Sequence, residues 1–503
     1  MTSVRLRWVL VGFTLVALAV RLVAAVSVDF GDSEALYASY ALFPAPAYVD
    51  HPALIGLVAR ALGHGLAPSP FAAHVFTAFA MSAAPWAVLL AARVLGAELR
   101  ASLLAAVAVA MAPEVAVGLF GLTPDLLLFF AWIATLAAFG RGLRSLPGSN
   151  AAAACFTAAG LALSVGCASK VSALTLAVAL AVTLASKNAR AHATTPWPWA
   201  TFGIPFVALS PVLAFEAHTG WPMLRHRLVE TQIEAGASLR NLGAILGGQA
   251  LYVSPGLAVA GLLLGRELWR RRSVDAVHTL LAMTTLAPAA LLGTLCLWSK
   301  VAEPHWLAPA WLALPLYFAT RTPEEGETAP VGPKLARTAL ALGLAFSSVV
   351  YAWVLIPSLV TLVPKDRYDP RLDLANELTG WPEVASEVAR AAEEIRLGYM
   401  NPDAVAVVGP VWMVSAQLRA ALPSDIAVGC VGPNAADFPT WMPRSVWSRA
   451  DVVIFVHDNR APADSAALFP DRVRTKERRV TIERGGRTAR VFTVELLEVR
   501  AAS

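Results

Sequence analysis

ASLLAAVAVAMAPEVAVGLF, residues 101–120, and LTPDLLLFFAWIATLAAFG, residues 122–140, stand back to back with only Gly121 between them. Each is long enough and apolar enough to cross a hydrocarbon core, which takes roughly 17–25 residues of helix. Runs of the same kind recur near 8–26, 71–92, 151–169, 171–186, 197–216, 243–265, 277–298, 304–320 and 338–360. The whole predicts an all-α polytopic bundle of about eleven transmembrane helices. Of the 503 residues, 57% are hydrophobic and 15% charged. Water-facing chains carry about 45–50% and about 25%. The net charge of +5 calls for no nucleic-acid partner, because the basic residues sit in short loops between apolar runs. Four cysteines with no CxxC pair and no metal spacing imply no disulfide framework.

Orientation follows from where the cations fall. With the N-terminus in the cytoplasm, the inner segments hold 15 Lys and Arg. The outer loops before the last span hold six: Arg60, Lys170, Arg225, Arg227, Arg240 and Lys300. The positive-inside rule therefore predicts a cytoplasmic N-terminus, and an odd number of spans puts the C-terminal region outside. From about 364 to 503 the composition changes and no spanning run occurs. Residues 381–397 predict an amphipathic helix, 404–408, 426–429 and 451–456 buried strands, and 480–483 with 488–497 a hairpin about Gly485-Gly486. The expected division is a membrane unit, 1–363, and an extracytoplasmic α/β domain, 364–503.

The first outer loop gathers carboxylates among aromatic residues: Asp29-Phe-Gly-Asp-Ser-Glu-Ala-Leu-Tyr37 through Tyr40, then Tyr48-Val-Asp-His-Pro52. A solvated acidic loop is the plain reading for Asp29. Asp32, Glu34 and Asp50, interleaved with Tyr37, Tyr40 and Tyr48, suit a chain lying against the membrane surface, where acids acquire perturbed protonation. Cations stand on other outer loops: Lys170 between two apolar runs, Arg225 and Arg227 beside Trp221, and Lys300 with His305 near Trp298 and Trp306. Asp125, opening a span after Thr123-Pro124, suits helix capping. Acids on one loop and cations on three others describe a site that holds a phosphate while a carboxylate removes a proton.

Those residues carry a resemblance. Gly31-Asp-Ser-Glu-Ala-Leu-Tyr37 with Tyr48-Val-Asp-His-Pro-Ala-Leu54 resembles the first periplasmic loop of GT-C glycosyltransferases, in the branch of protein O-mannosyltransferases and aminoarabinose transferases. The likeness continues through Thr-Pro-Asp125, Ser169-Lys170, His305-Trp306 and Gly380-Trp381. It implies an inverting transfer of a sugar from a polyprenyl-phosphate donor to an acceptor glycan, lipid or protein, at a bacterial inner membrane. The resemblance makes Asp32 the first-loop catalytic aspartate, with Glu34 and Asp50 in the catalytic centre. His51 stands at the adjacent basic position, and Lys170, Arg225, Lys300 and His305 are implied to hold the lipid phosphate. Some relatives bind a divalent metal, for which Asp32, Asp50 and His51 are the candidate ligands. Two departures stand out: Ser33 separates the acidic pair, and the second motif reads Asp-His-Pro-Ala rather than ending in two prolines. A transporter or lipid flippase is the alternative of another class. It would place ionisable residues near the midplane and show inverted repeats, whereas here the acids gather at the outer interface and no repeat is evident.

Overall fold

A computed structural model describes residues 2–233, 235–299, 303–322 and 329–500. Six of the expected runs are single helices of spanning length: Ser3–Ser27, Pro70–Val94, Pro124–Leu143, Asn150–Ser169, Ala276–Trp298 and Pro333–Leu355. Three others are broken. Leu99–Ala110 and Pro113–Phe120 meet at 72°, Trp197–Ala208 and Ser210–Thr219 at 48°, and Leu239–Tyr252 and Pro255–Arg270 at 103°. Proline stands at or just after each break (Pro113, Pro211, Pro255), where it removes an amide donor and blocks the preceding turn. Counting each bent pair as one span gives up to nine among the described residues, and a 103° turn cannot be one straight crossing. The run at 304–320 is a succession of short helical pieces, Pro304–Leu307, Ala308–Trp311 and Ala313–Thr320. The run at 171–186 is the short helix Val171–Ala185.

Beyond the last spanning helix the chain builds a five-stranded sheet in the order β2-β1-β3-β5-β4. Its strands are β1 (Val405–Gly409), β2 (Ala427–Cys430), β3 (Val452–Asp458), β4 (Arg472–Arg484) and β5 (Arg487–Val499). β1 pairs in parallel with β2 and β3, while β5 runs antiparallel to β3 and β4. The helix Trp381–Tyr399 covers the sheet with Trp381, Val384, Val388, Ala391 and Ile395 buried. Its start needs Gly380, which has φ +94 and whose added Cβ would lie 2.5 Å from Ile482. The hairpin turns on Gly485 and Gly486, both at positive φ, the conformation a tight two-residue turn demands. β4 begins eight residues before the expected strand. Its extra length, Arg472 to Arg479, is a charged sheet edge whose side chains are mostly exposed, a composition that discourages edge-to-edge pairing.

The loop after the first spanning helix does not lie free on the bundle. Its helix Asp32–Ser39 packs against the helix Trp412–Ala421. Phe30, Leu36, Tyr40 and Tyr48 share one core with Trp381, Val388, Val407, Val414 and Phe438. Hydrogen bonds join the two segments: Asp32 N to Glu377 Oε1 at 2.8 Å, Gln417 Nε2 to the Phe30 carbonyl at 2.7 Å, and Val49 N to Asp437 Oδ1 at 2.8 Å. Burying this loop against the sheet unit fixes where its carboxylates point.

Candidate active site at the membrane surface

The turn Tyr48–His51 is closed by the Tyr48 amide donating to the His51 carbonyl at 2.9 Å, beside a bridge between Ala47 and Pro52. Tyr48 stacks on Tyr40, ring centroids 3.6 Å apart, and the hydroxyl of Tyr48 donates into the loop's own carbonyls. Asp50 projects from this anchored turn. Its Oδ1 accepts from Arg227 at 2.8 Å, with His226 Nε2 at 3.7 Å, and the Arg227 guanidinium lies 5.7 Å from the Trp306 ring centroid. Arg225, on the same short helix Pro222–Leu228, turns outward to Glu230 at 3.4 Å and is 68% exposed. Of the two arginines, it is Arg227 that meets the first loop.

His51 Nε2 shares a 3.1 Å hydrogen bond with the Tyr37 hydroxyl, and its Nδ1 is buried with no partner among the described residues. Burial, reinforced by Arg227, Lys170 and His305, holds His51 well below its ordinary pKa, so the ring is neutral. Arg227, Lys170 and His305 thus share one electrostatic neighbourhood with His51. Lys170 occupies the break between Asn150–Ser169 and Val171–Ala185, in extended conformation, with Nζ 2.8 Å from both oxygens of Asp125. No acid neighbours Lys170 in sequence; its partner arrives from the first turn of Pro124–Leu143, 45 positions away. His305 lies beside Glu303 at 3.4 Å and Tyr252. Lys300 lies outside the described residues.

Asp125, Tyr252 and His305 also line a cavity of about 260 Å³. Glu114, Asp125, Gln249, Tyr252 and His305 contribute its polar wall, and Leu104, Leu128, Phe129, Leu257 and Leu264 are among its apolar residues. The arrangement suits an amphipathic ligand with a long apolar tail and an anionic head.

Asp32 and Glu34 have other surroundings. Asp32 Oδ1 accepts from Gln417 Nε2 at 3.2 Å, and burial together with the nearby Glu377 lifts its pKa to about 6 against the pull of Arg490 and Arg460. Glu34 accepts from the amides of Gly31 at 3.0 Å and Leu122 at 2.7 Å, and pairs with buried His74 at 3.0 Å. These contacts tie the loop to the helix Pro70–Val94 and to the connector that leads into Pro124–Leu143. Among the described residues no three His, Cys, Asp or Glu side chains converge as metal ligands. Asp50 is taken by Arg227, Asp32 by Gln417 and His51 Nε2 by Tyr37, so the metal set expected from Asp32, Asp50 and His51 does not fit this arrangement. Reading single loops left Glu114 unnoticed and gave Tyr37 no role beyond an aromatic neighbour of the acids. Glu114 carried a signal, as the one charged residue in the run 101–120 after its opening residues.

Residues 50–215 match the family described as dolichyl-phosphate-mannose-protein mannosyltransferase. No curated protein sequence matches the chain. Among solved structures, ArnT from Cupriavidus metallidurans bound to undecaprenyl phosphate is similar at a TM-score of 0.62 and 16% identity, covering 97% of this chain and 98% of that one. Its apo state gives 0.63 and 16%, covering 97% of both. The arabinofuranosyltransferase AftD from Mycobacteria gives 0.53 and 18%, covering 99% of this chain and 40% of that one. At such identities the structural likeness speaks for the fold. The family match covers residues 50–215, and along nearly its whole length this multi-pass membrane protein shares the fold of ArnT.

Proposed function

We propose that the chain transfers a sugar from a polyprenyl-phosphate donor to an acceptor hydroxyl or amine on the outer face of a bacterial inner membrane, with inversion at the anomeric carbon. The observation that carries this reading is an apolar cavity lined by Asp125 and His305, with Lys170 bound to that Asp125 and with Arg227, the partner of Asp50, acting on His51 together with Lys170 and His305. ArnT, which shares the fold, has been solved with undecaprenyl phosphate. In this reading the isoprenoid enters the cavity and its phosphate meets Lys170, Arg227 and His305. The acceptor's oxygen or nitrogen forms a bond to the anomeric carbon while the bond from that carbon to the phosphate oxygen breaks. The electron pair leaves with polyprenyl phosphate, where the cations stabilise the growing charge, and the acceptor's proton passes to Asp50. Arg227 has two calls on it. A phosphate drawing it away leaves Asp50 a stronger base, so the carboxylate is activated when the donor is present.

The test is release of polyprenyl phosphate by purified protein in liposomes, supplied with a panel of polyprenyl-phosphate sugars and candidate acceptors. Wild type releases the lipid phosphate. Asp50→Asn, folded to the same extent, loses about 10²–10⁴-fold, the usual range for a positioned acid or base. The same assay on Asp32→Asn separates the carboxylates: loss there with retention in Asp50→Asn moves the base to Asp32. Donors that cross the bilayer intact, without cleavage under any acceptor, would turn the reading to a flippase.

A further inference from the structure

We propose that Glu114 reads the sugar of the donor, accepting hydrogen bonds from its hydroxyl or amino groups. This rests on the polyprenyl-phosphate reading above and adds to it a residue for the sugar. Pro113 ends the helix Leu99–Ala110 and opens a short turn, Pro113–Ala116, which sets Glu114 on the cavity wall with Asp125, Tyr252 and His305. Glu114 Oε2 is buried and has no hydrogen-bond partner among the described residues. The neighbouring cations are otherwise engaged, Lys170 by both oxygens of Asp125 and Arg227 by Asp50.

A buried acceptor left unmade costs the full desolvation of the group, and an ionisable side chain at membrane depth is by default a functional one. A ligand group that both donates and accepts satisfies this carboxyl in either protonation state. An isoprenoid chain does neither, and a phosphate diester only accepts. The sugar, joined to that phosphate, is the one part of the ligand rich in O–H or N–H. Gly118 makes the room: a Cβ added there would lie 3.0 Å from Glu114 Oε2 and 3.2 Å from its carboxyl carbon. The glycine keeps open the space that the carboxyl occupies.

The experiment compares binding of undecaprenyl phosphate with the same lipid carrying a neutral pentose, a neutral hexose or an amino pentose. The full chain in nanodiscs is used as wild type, Glu114→Gln, Glu114→Leu and Gly118→Ala. Undecaprenyl phosphate should bind all four proteins alike. The sugar-loaded lipids should weaken by about tenfold in the two Glu114 variants, as for loss of a hydrogen bond. Gly118→Ala, which displaces the carboxyl without removing it, should weaken the same ligands. A greater loss for the amino pentose assigns an ammonium partner, and equal losses assign hydroxyls. An equal loss for the sugar-free lipid would overturn the proposal by moving Glu114 to the phosphate, and unchanged binding of every ligand would remove it from the site. Failure of wild type to bind any of these lipids would instead sink the donor reading, and this inference with it.

Discussion

Asp437 comes from the sheet unit and ends against the turn that carries Asp50. Its Oδ1 accepts the Val49 amide at 2.8 Å, and its buried carboxyl also meets the Tyr40 hydroxyl. Burial, with Asp50 adding like charge, lifts its pKa from 3.8 to about 7. At about 1.4 kcal/mol for each tenfold change in proton affinity, ionising it in place costs on the order of 4 kcal/mol, and relaxation of the interface lowers that toward about 2. Below about pH 4 the carboxyl is protonated in both folded and unfolded chains, and no penalty applies. Between about 4 and 7 the folded protein keeps a proton that the unfolded chain has lost. Stability therefore falls as pH rises through this window and the penalty is complete above it. Asp437→Asn keeps the acceptor for Val49 and removes the ionisation. Thermal unfolding of the detergent-purified variant and wild type across pH 4 to 9 is the assay. Because Asp29 and Asp32 also titrate upward, the quantity to read is the difference between the two proteins. It should be near zero at pH 4, grow in favour of the variant by several degrees to about pH 7, and then flatten. A difference that is constant with pH, or that favours wild type at pH 8, would refute the argument that Asp437 is held protonated.

Lys170→Gln and Asp125→Asn should each destabilise by about 3–5 kcal/mol, because each strands the other half of a buried pair. The double variant should recover part of that stability, while polyprenyl-phosphate release stays low in all three; unfolding temperatures and the release assay decide. Arg227→Gln should lower release by about 10–100-fold through loss of a charge-assisted contact. Arg225→Gln should stay within about twofold, since an exposed ion pair contributes about 0–1 kcal/mol. Glu34→Ala should cost about 2–4 kcal/mol of stability by leaving the Gly31 and Leu122 amides and His74 without their acceptor. It should show a lower unfolding temperature, with little change in the KM of the protein that remains folded.

The sequence makes the membrane class plain because the bilayer allows one solution to buried backbone, and apolar runs of spanning length announce it. It predicts less well how those runs cross. Pro113, Pro211 and Pro255 sit where three runs break, yet hydropathy averages over a proline and reports continuous spans. The strands and the covering helix of the sheet unit were legible for a different reason. Alternation and apolar runs survive there without a membrane to mask them, but the charged edge strand, which buries little, escaped its full length, and the helix Trp412–Ala421 was not expected. At the site, the residue types were readable and the partners were not. The cation of Asp50 is Arg227, 177 positions on, and the acid of Lys170 lies 45 positions back. Neighbouring Arg225 and Arg227 differ only in which face of a seven-residue helix they occupy. The core formed by the first loop and the sheet unit explains why counting domains by composition misses the point of the architecture. Composition changes near 364, but Phe30, Leu36 and Tyr40 bury against Trp381, Val414 and Phe438. The carboxylates of the first loop are therefore aimed by residues that follow the last spanning helix. A change that loosens the sheet unit reaches Asp50 through the Val49 to Asp437 hydrogen bond and the shared core, although no described residue of that unit lines the cavity.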